Sequence, residues 1–189
     1  MRKGFSMIEM VFVVVIIGVL AGVAVPKFAA TRVDKKVATL RSDTANTLKT
    51  IVAKVFADNL NTKASLAPHP DDRTKTPTIL WGEWIIEVAG LNRTRWLMAA
   101  SQNDPNGRGV SPAYKVGKIN IPCGIRPYIS ITDAGDLSFN PAALEVGVQG
   151  NGSGFGDYMV CLKLQASYKN SGGDGNRMIP LTSTQTIKF

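Results

Sequence analysis

The feature that most constrains this chain is an uncharged apolar run, Met10–Val25, set directly behind Gly4-Phe5-Ser6-Met7-Ile8-Glu9. Written as one α-helix, Phe5–Val25 extends about 31 Å at ~1.5 Å per residue. The hydrocarbon core of a bilayer is roughly 30 Å thick. Arg2 and Lys3 precede the run, and a single acid, Glu9, lies inside the helix. A core-facing helix of a soluble domain would show an amphipathic stripe, and Met10–Val25 has no polar face. The segment therefore reads as a retained membrane anchor. A cleaved secretory signal is the alternative, because Gly22-Val23-Ala24 is a small-x-small triplet. Against it stand the acid between the basic start and the apolar run, and the helical pattern that resumes after Pro26. Charge counting does not orient the anchor, since Arg2 and Lys3 are opposed by Lys27, Arg32, Lys35 and Lys36 beyond it.

Glu9 has two readings. Ser6-Met7-Ile8-Glu9 is an S-x-x-E capping box, in which Ser6 caps the helix and Glu9 reaches back to the Ser6 N–H. Phe5 and Met10 then stand as a hydrophobic staple around it. The second reading starts from cost. An ionised group at membrane depth is expensive, about 2.5–3.5 kcal/mol at a helix centre on insertion scales, and it seeks a partner. A cut between Gly4 and Phe5 would create an α-amino group one turn from Glu9, free to pair with Glu9 of a neighbouring subunit.

Lys3-Gly4-Phe5-Ser6-Met7-Ile8-Glu9, with the apolar run and Pro26 behind it, resembles the N-terminus of type IV pilins and type II secretion pseudopilins. The resemblance covers roughly residues 1–35. It implies a leader, residues 1–4, removed between Gly4 and Phe5 by a prepilin peptidase, and N-methylation of Phe5. It implies that Glu9 guides docking into a homo-oligomeric filament with related minor subunits, and that Pro26 kinks the helix. It also implies single-pass insertion in the inner membrane with the head in the periplasm, before assembly into a pilus or pseudopilus. Within that class three roles compete: pilus subunit, secretion pseudopilin, and competence pilin binding DNA. A membrane-anchored binding domain that never polymerises is the rival from another class.

Beyond Pro26 the pattern turns amphipathic. Val33, Val37, Leu40, Thr44, Leu48, Ile51 and Val55 recur at spacings of three and four, the helical signature. One long helix is expected from Phe5 to about Asn59: residues 5–25 as anchor and assembly helix, 26–59 as its amphipathic continuation, and 60–189 as a globular head. The expected fold class is α+β, with the long helix packed on an antiparallel sheet. Asn59–Thr78, with Pro68, Pro70 and Pro77, reads as a loop. Ile79–Ala100 holds Trp81, Trp84 and Trp96, which read as core under the long helix, with helical spacing from Trp81 to Val88 and a candidate strand at Arg95–Ala99. Ser101–Pro112 reads as a turn-rich loop. Tyr128–Thr132 and Leu137–Asn140 read as a hairpin about Asp133-Ala134-Gly135-Asp136, and Leu144–Gln149 and Asp157–Leu164 as further strands.

The formal net charge of +8 invites a nucleic-acid or anionic-surface reading. The basic residues are scattered, with a modest cluster at Lys27, Arg32, Lys35, Lys36 and Arg41, and read better as a solvated face beside a membrane. DNA stays a low-ranked partner. Cys123 and Cys161 are the only cysteines. In an exported chain an even count suggests one disulfide; two buried thiols are the alternative. His69, beside Asp71 and Asp72, is too sparse for a metal site. The glycine-rich stretch Gly150–Gly156 lacks the Gly-Lys-Ser/Thr ending of a phosphate-binding loop and is expected to precede a strand. Some major pseudopilins bind calcium through C-terminal loops, and Asp174 and Asn176 offer oxygens, but calcium needs six to eight ligands. No cofactor and no catalytic residues are expected, since no triad, zinc or nucleotide motif is present.

Overall fold

The computed structural model describes residues 7–72, 74, 76–99, 106–124, 126–144, 155–169, 172 and 175–181, without the side chains of residues 20–30, 116 and 155–157. Helix α1, Met7–Asp58, is helical throughout, including the turn at Pro26. Its second half carries the stripe that the spacing predicts. Val37, Leu40, Thr44, Thr47, Ile51 and Val55 are buried, and Val33, Leu48 and Val52 pack beside them. The two threonines fit this stripe because their hydroxyls donate to the Leu40 and Asp43 carbonyls, each at 2.7 Å, so neither buried oxygen is left unpaired.

After α1 come strands β1 (Ala67–Pro68) and β2 (Pro77–Ile79), a short antiparallel pair, then helix α2 (Trp81–Val88). The main sheet is antiparallel. It is built from β3 (Trp96–Met98), β4 (Gly109–Val116), β5 (Ile119–Pro122), β6 (Ile129–Ile131), β7 (Leu137–Phe139) and β8 (Arg177–Ile179). Its order is β3-β4-β6-β7-β8, with β5 pairing β4 off that path. One edge of β4 carries β3. The other carries β6 at its start and β5 at its end: the Tyr128 N–H bonds to Val110 O, and the Cys123 N–H to Pro112 O. A 3-10 turn, Pro141–Leu144, precedes helix α3, Phe155–Lys169. The fold is α+β, a long N-terminal helix packed against an antiparallel sheet.

The core gathers the residues that lose most on exposure. Trp81, Trp84, Trp96, Tyr128, Ile129, Ile131 and Leu137 are all fully buried, each worth about 1.5–3 kcal/mol of transfer free energy or more. The tryptophans are core, as their spacing suggests. A buried indole N–H needs an acceptor. Trp81 Nε1 donates to Ala64 O at 2.8 Å, and Trp96 Nε1 to Asp43 Oδ2 at 3.1 Å.

Several expectations are corrected. Asp157–Leu164 is not a strand but part of α3. The alternation Tyr158, Val160, Leu162, Leu164 fits a period of two, yet the buried set is Val160, Cys161 and Leu164, which is helical spacing. The glycine-rich stretch therefore precedes a helix, so one ground for setting it aside falls; the missing Gly-Lys-Ser/Thr stands. Ser101–Pro112 is not loop to its end, because β4 begins at Gly109. Asn59–Thr78 contains β1 and the start of β2. Leu144 closes the 3-10 turn instead of opening a strand, and 145–149 lie outside the described residues. The hairpin is present as β6 and β7, with Ile129 opposite Phe139 and Ile131 opposite Leu137.

Cys123 and Cys161 form a disulfide, with Cα atoms 5.5 Å apart. It joins the end of β5 to the middle of α3. Gly124 follows, and only glycine fits there: a Cβ would lie 1.8 Å from Ala143 O.

Candidate functional site

The candidate functional regions are the N-terminal part of α1 and the two ends of the head. Glu9 lies exposed in the first turn of α1. Around it every large apolar side chain faces outward: Met7, Ile8, Met10, Phe12 and Ile17 are all more than half exposed, up to 88% at Met7. At Gly18 open space stands where a Cβ would be. Among the described residues, no part of the head covers this stretch of the helix. Among the described residues no helix is long and apolar enough to cross a membrane. The described side chains of the apolar run end at Val19, so a spanning length rests on the sequence. Gly4, Phe5 and Ser6 lie outside the described residues.

At the far end of the helix the head opens into a cleft of about 310 Å³. Among its lining residues are Lys54 and Asp58, paired at 3.0 Å, with Leu60, His69, Asp71, Asp72 and Trp84. Asp72 accepts the Thr74 N–H at 2.8 Å, the Thr74 hydroxyl at 2.6 Å and the Thr76 N–H at 3.3 Å. These bonds, the Thr74 hydroxyl first, hold its carboxyl below the usual carboxylate range. His69 Nδ1 accepts the Asp71 N–H at 3.3 Å, and Nε2 stands 3.6 Å from Glu87. Glu87 and Glu83 share Arg93. Among the described residues no group of three His, Cys, Asp or Glu side chains could hold a metal ion. Asn176, suggested as an oxygen donor for calcium, accepts the Ser138 hydroxyl at 2.9 Å; Asp174 lies outside the described residues.

This end of the head is pinned by a residue that the sequence did not single out. Arg108 is 5% exposed. Its Nε donates to Ile131 O at 2.6 Å, Nη1 to Ala64 O at 2.8 Å, and Nη2 to Thr62 O and Thr132 O at 2.7 and 2.8 Å. The guanidinium also lies 5.8 Å from the Trp81 ring centroid. A planar five-donor fork suits such a ring of carbonyls, and an ammonium does not.

Residues 1–25 match the prokaryotic N-terminal methylation motif. This is the prepilin cleavage and methylation signature found in type IV pilins and pseudopilins, and here it covers the N-terminal segment alone. The motif ends at Val25 and assigns nothing to the head. No curated protein and no solved structure matches the chain. Of the charged residues described above, only Glu9 lies within the methylation motif, together with the outward-facing apolar side chains from Met7 to Val19.

Proposed function

We propose that this chain is a structural subunit, held in the inner membrane as a precursor, cut between Gly4 and Phe5, N-methylated at Phe5, and polymerised into a type IV pilus or a type II secretion pseudopilus. The observation that carries this reading is the methylation motif at residues 1–25. The outward-facing apolar side chains from Met7 to Val19 support it, because such a surface is stable in lipid or among equivalent helices and not in water. In this reading residues 1–4 are the leader, 5–25 the membrane and assembly helix, 26–59 its continuation, and 60–189 a periplasmic head. Pro26 marks the passage from one half of the helix to the other. Prepilin peptidase, the inner membrane, further copies of the chain and related minor subunits are the partners.

The physics is an exchange of surroundings. Each Val, Ile or Phe of the run keeps an apolar environment as the helix moves from lipid into a bundle of like helices. Glu9 cannot stay ionised alone in such a bundle, and the Phe5 amine of a neighbour supplies the opposite charge. Mass spectrometry of the N-terminal peptide tests the processing: it is expected to begin at methylated Phe5, and an intact Met1 would overturn the proposal. Glu9→Leu is expected to leave the precursor in the membrane and lower polymer yield at least about tenfold, the scale of one lost buried charge pair. Unchanged yield would leave Glu9 with the capping role alone.

A further inference from the structure

Helix α3 carries the head down to the level at which α1 leaves the apolar run. Lys163 Nζ donates to Asp34 Oδ1 at 2.6 Å, and the Arg41 guanidinium lies 5.3 Å from the Tyr168 ring centroid. Helix α3 therefore runs beside α1 in the same direction. Phe155 lies eight residues ahead of Lys163, and Pro26 eight residues ahead of Asp34, about 12 Å of rise in each helix. The start of α3 thus stands within about one helical turn of the level of Pro26. Headgroups add roughly 5–7 Å to each side of a bilayer's hydrocarbon core. With Val25 at the edge of that core, the first turns of α3 meet the headgroup layer.

The side chains at this end suit such a layer. Met159 and Leu162, 38% and 36% exposed, share the face of α3 turned away from the buried Cys161 and Leu164. Helical side chains lean toward the N-terminus of their helix, which here is the side of Pro26. Tyr158 meets the Tyr114 ring edge-on at 5.9 Å, so the later part of β4 arrives at the same end. Beyond Tyr114 the hairpin turns at Gly117-Lys118, where Val116 pairs with Ile119. Ile119 is 68% exposed, the most exposed large apolar side chain of the head among the described residues. Tyrosines are enriched where a membrane meets water. The charge is one-sided as well. Residues 26–36, 113–122 and 155–163 hold seven lysines and arginines against two acids, and the stretch leading into α3, residues 145–154, adds one more acid. At the far end of the head, residues 54–76 hold four against three.

We infer that this end of the head rests on an anionic bilayer surface, with Ile119, Met159 and Leu162 among the headgroups and the exposed Arg32, Lys35 and Lys118 facing lipid phosphates. This rests on the membrane reading of residues 5–25 above. The attraction of lysine and arginine to an anionic leaflet fades within a Debye length, about 8 Å at physiological salt, and these side chains start at about that distance. The contact can be weak in itself, because the N-terminal helix already holds the head at the surface and makes the encounter intramolecular in effect. It gives the precursor's head one pose on the membrane before assembly. Nucleic-acid phosphates would satisfy the same cations, but they leave the three apolar side chains in water, and a bilayer does not.

The test uses the full-length chain in lipid nanodiscs, of phosphatidylcholine alone or with part of it replaced by phosphatidylglycerol. A phospholipid with a diazirine near its headgroup is photolysed, and the adducts are located by peptide mass spectrometry. In the anionic discs adducts are expected in the peptides that carry Ile119 and Met159–Leu162, besides those in the apolar run. The head adducts are expected to fall several-fold in phosphatidylcholine alone and in Lys35→Glu. Leu162→Glu and Ile119→Glu are each expected to lower them about tenfold, the scale of one apolar side chain returned to water, with unchanged adducts in the apolar run and unchanged thermal unfolding of the head. Adducts confined to the apolar run in both lipids overturn the contact and leave the membrane reading intact. Head adducts equal in both lipids overturn the anionic preference and the proposal with it. Duplex DNA bound by a chain whose head takes no lipid adduct assigns the cations to nucleic acid instead. A chain with no adducts anywhere overturns both readings.

Discussion

At the scale of single residues, one buried hydroxyl ties the head's stability to pH. Tyr128 shows what this means for stability. It is fully buried, and its hydroxyl donates to the Tyr168 hydroxyl at 2.8 Å. Burial first, and then the neighbouring Tyr168, raise its pKa far above the ordinary tyrosine value. In the unfolded chain Tyr128 ionises near pH 10, as an exposed tyrosine does, at about the reference value. The folded state keeps its proton. Its contribution is therefore complete below pH ~10 and declines as pH rises toward the folded value, by up to ~1.4 kcal/mol per pH unit for one proton. Tyr128→Phe cannot ionise and is expected to remove that slope. Chemical denaturation at a series of pH values from 8 to 11 measures the difference between the two proteins; parallel curves would refute it. Such a role was not legible in the sequence. Tyr128 is placed by the hairpin pattern, but its environment is made by Tyr168, Phe139 and Trp96, which converge only in the fold.

At the scale of elements, legibility followed how local the cause was. The β6–β7 hairpin could be read because Asp133-Ala134-Gly135-Asp136 forces a turn between two apolar runs. The buried stripe of α1 could be read because it repeats over many turns. Helix α3 was missed for a physical reason. Its residues satisfy a period of two as well as a period of 3.6, and an alternating strand would set Cys161 on the face opposite Val160 and Leu164. In the helix, Cys161 lies with Val160 and Leu164 on the buried side and bonds to Cys123. That bond spans a sequence separation of 38, so in the chain-entropy account it contributes about 4 kcal/mol. Cys161→Ser is expected to cost up to about that amount in urea unfolding, with Cys123→Ser giving the same loss and the double variant no more. A loss under about 1 kcal/mol would mean that the unfolded chain is already constrained there. The bond also requires an oxidising compartment, which agrees with a head placed outside the cytoplasm in the proposed function.

At the scale of the whole molecule, the chain divides into a part that can be read along the sequence and a part that cannot. A processing enzyme reads a linear segment, so the methylation motif is intact in the sequence and needs no fold. The cleft draws on α1, on the loop before β2 and on α2, segments far apart in the chain. The buried Arg108 belongs to this larger scale. Its acceptors lie 23, 24, 44 and 46 positions away, on segments that must arrive from two sides. Asp133 stands 3.4 Å from Nε as well. Before both segments have docked, the guanidinium would keep only part of this set, and a buried cation short of its partners costs several kcal/mol. A half-assembled head is thus penalised electrostatically, and the closing of this ring belongs late on the folding path, after the transition state. Arg108→Met is therefore expected to accelerate unfolding while leaving the refolding rate nearly unchanged, the pattern of a residue with a low φ-value. Stopped-flow kinetics in urea would read it, and a slowed refolding arm would place the ring in the nucleus instead. In the proposed function, where the head folds only after export, such a guanidinium would act as a checkpoint, separating heads that have closed from heads that have not.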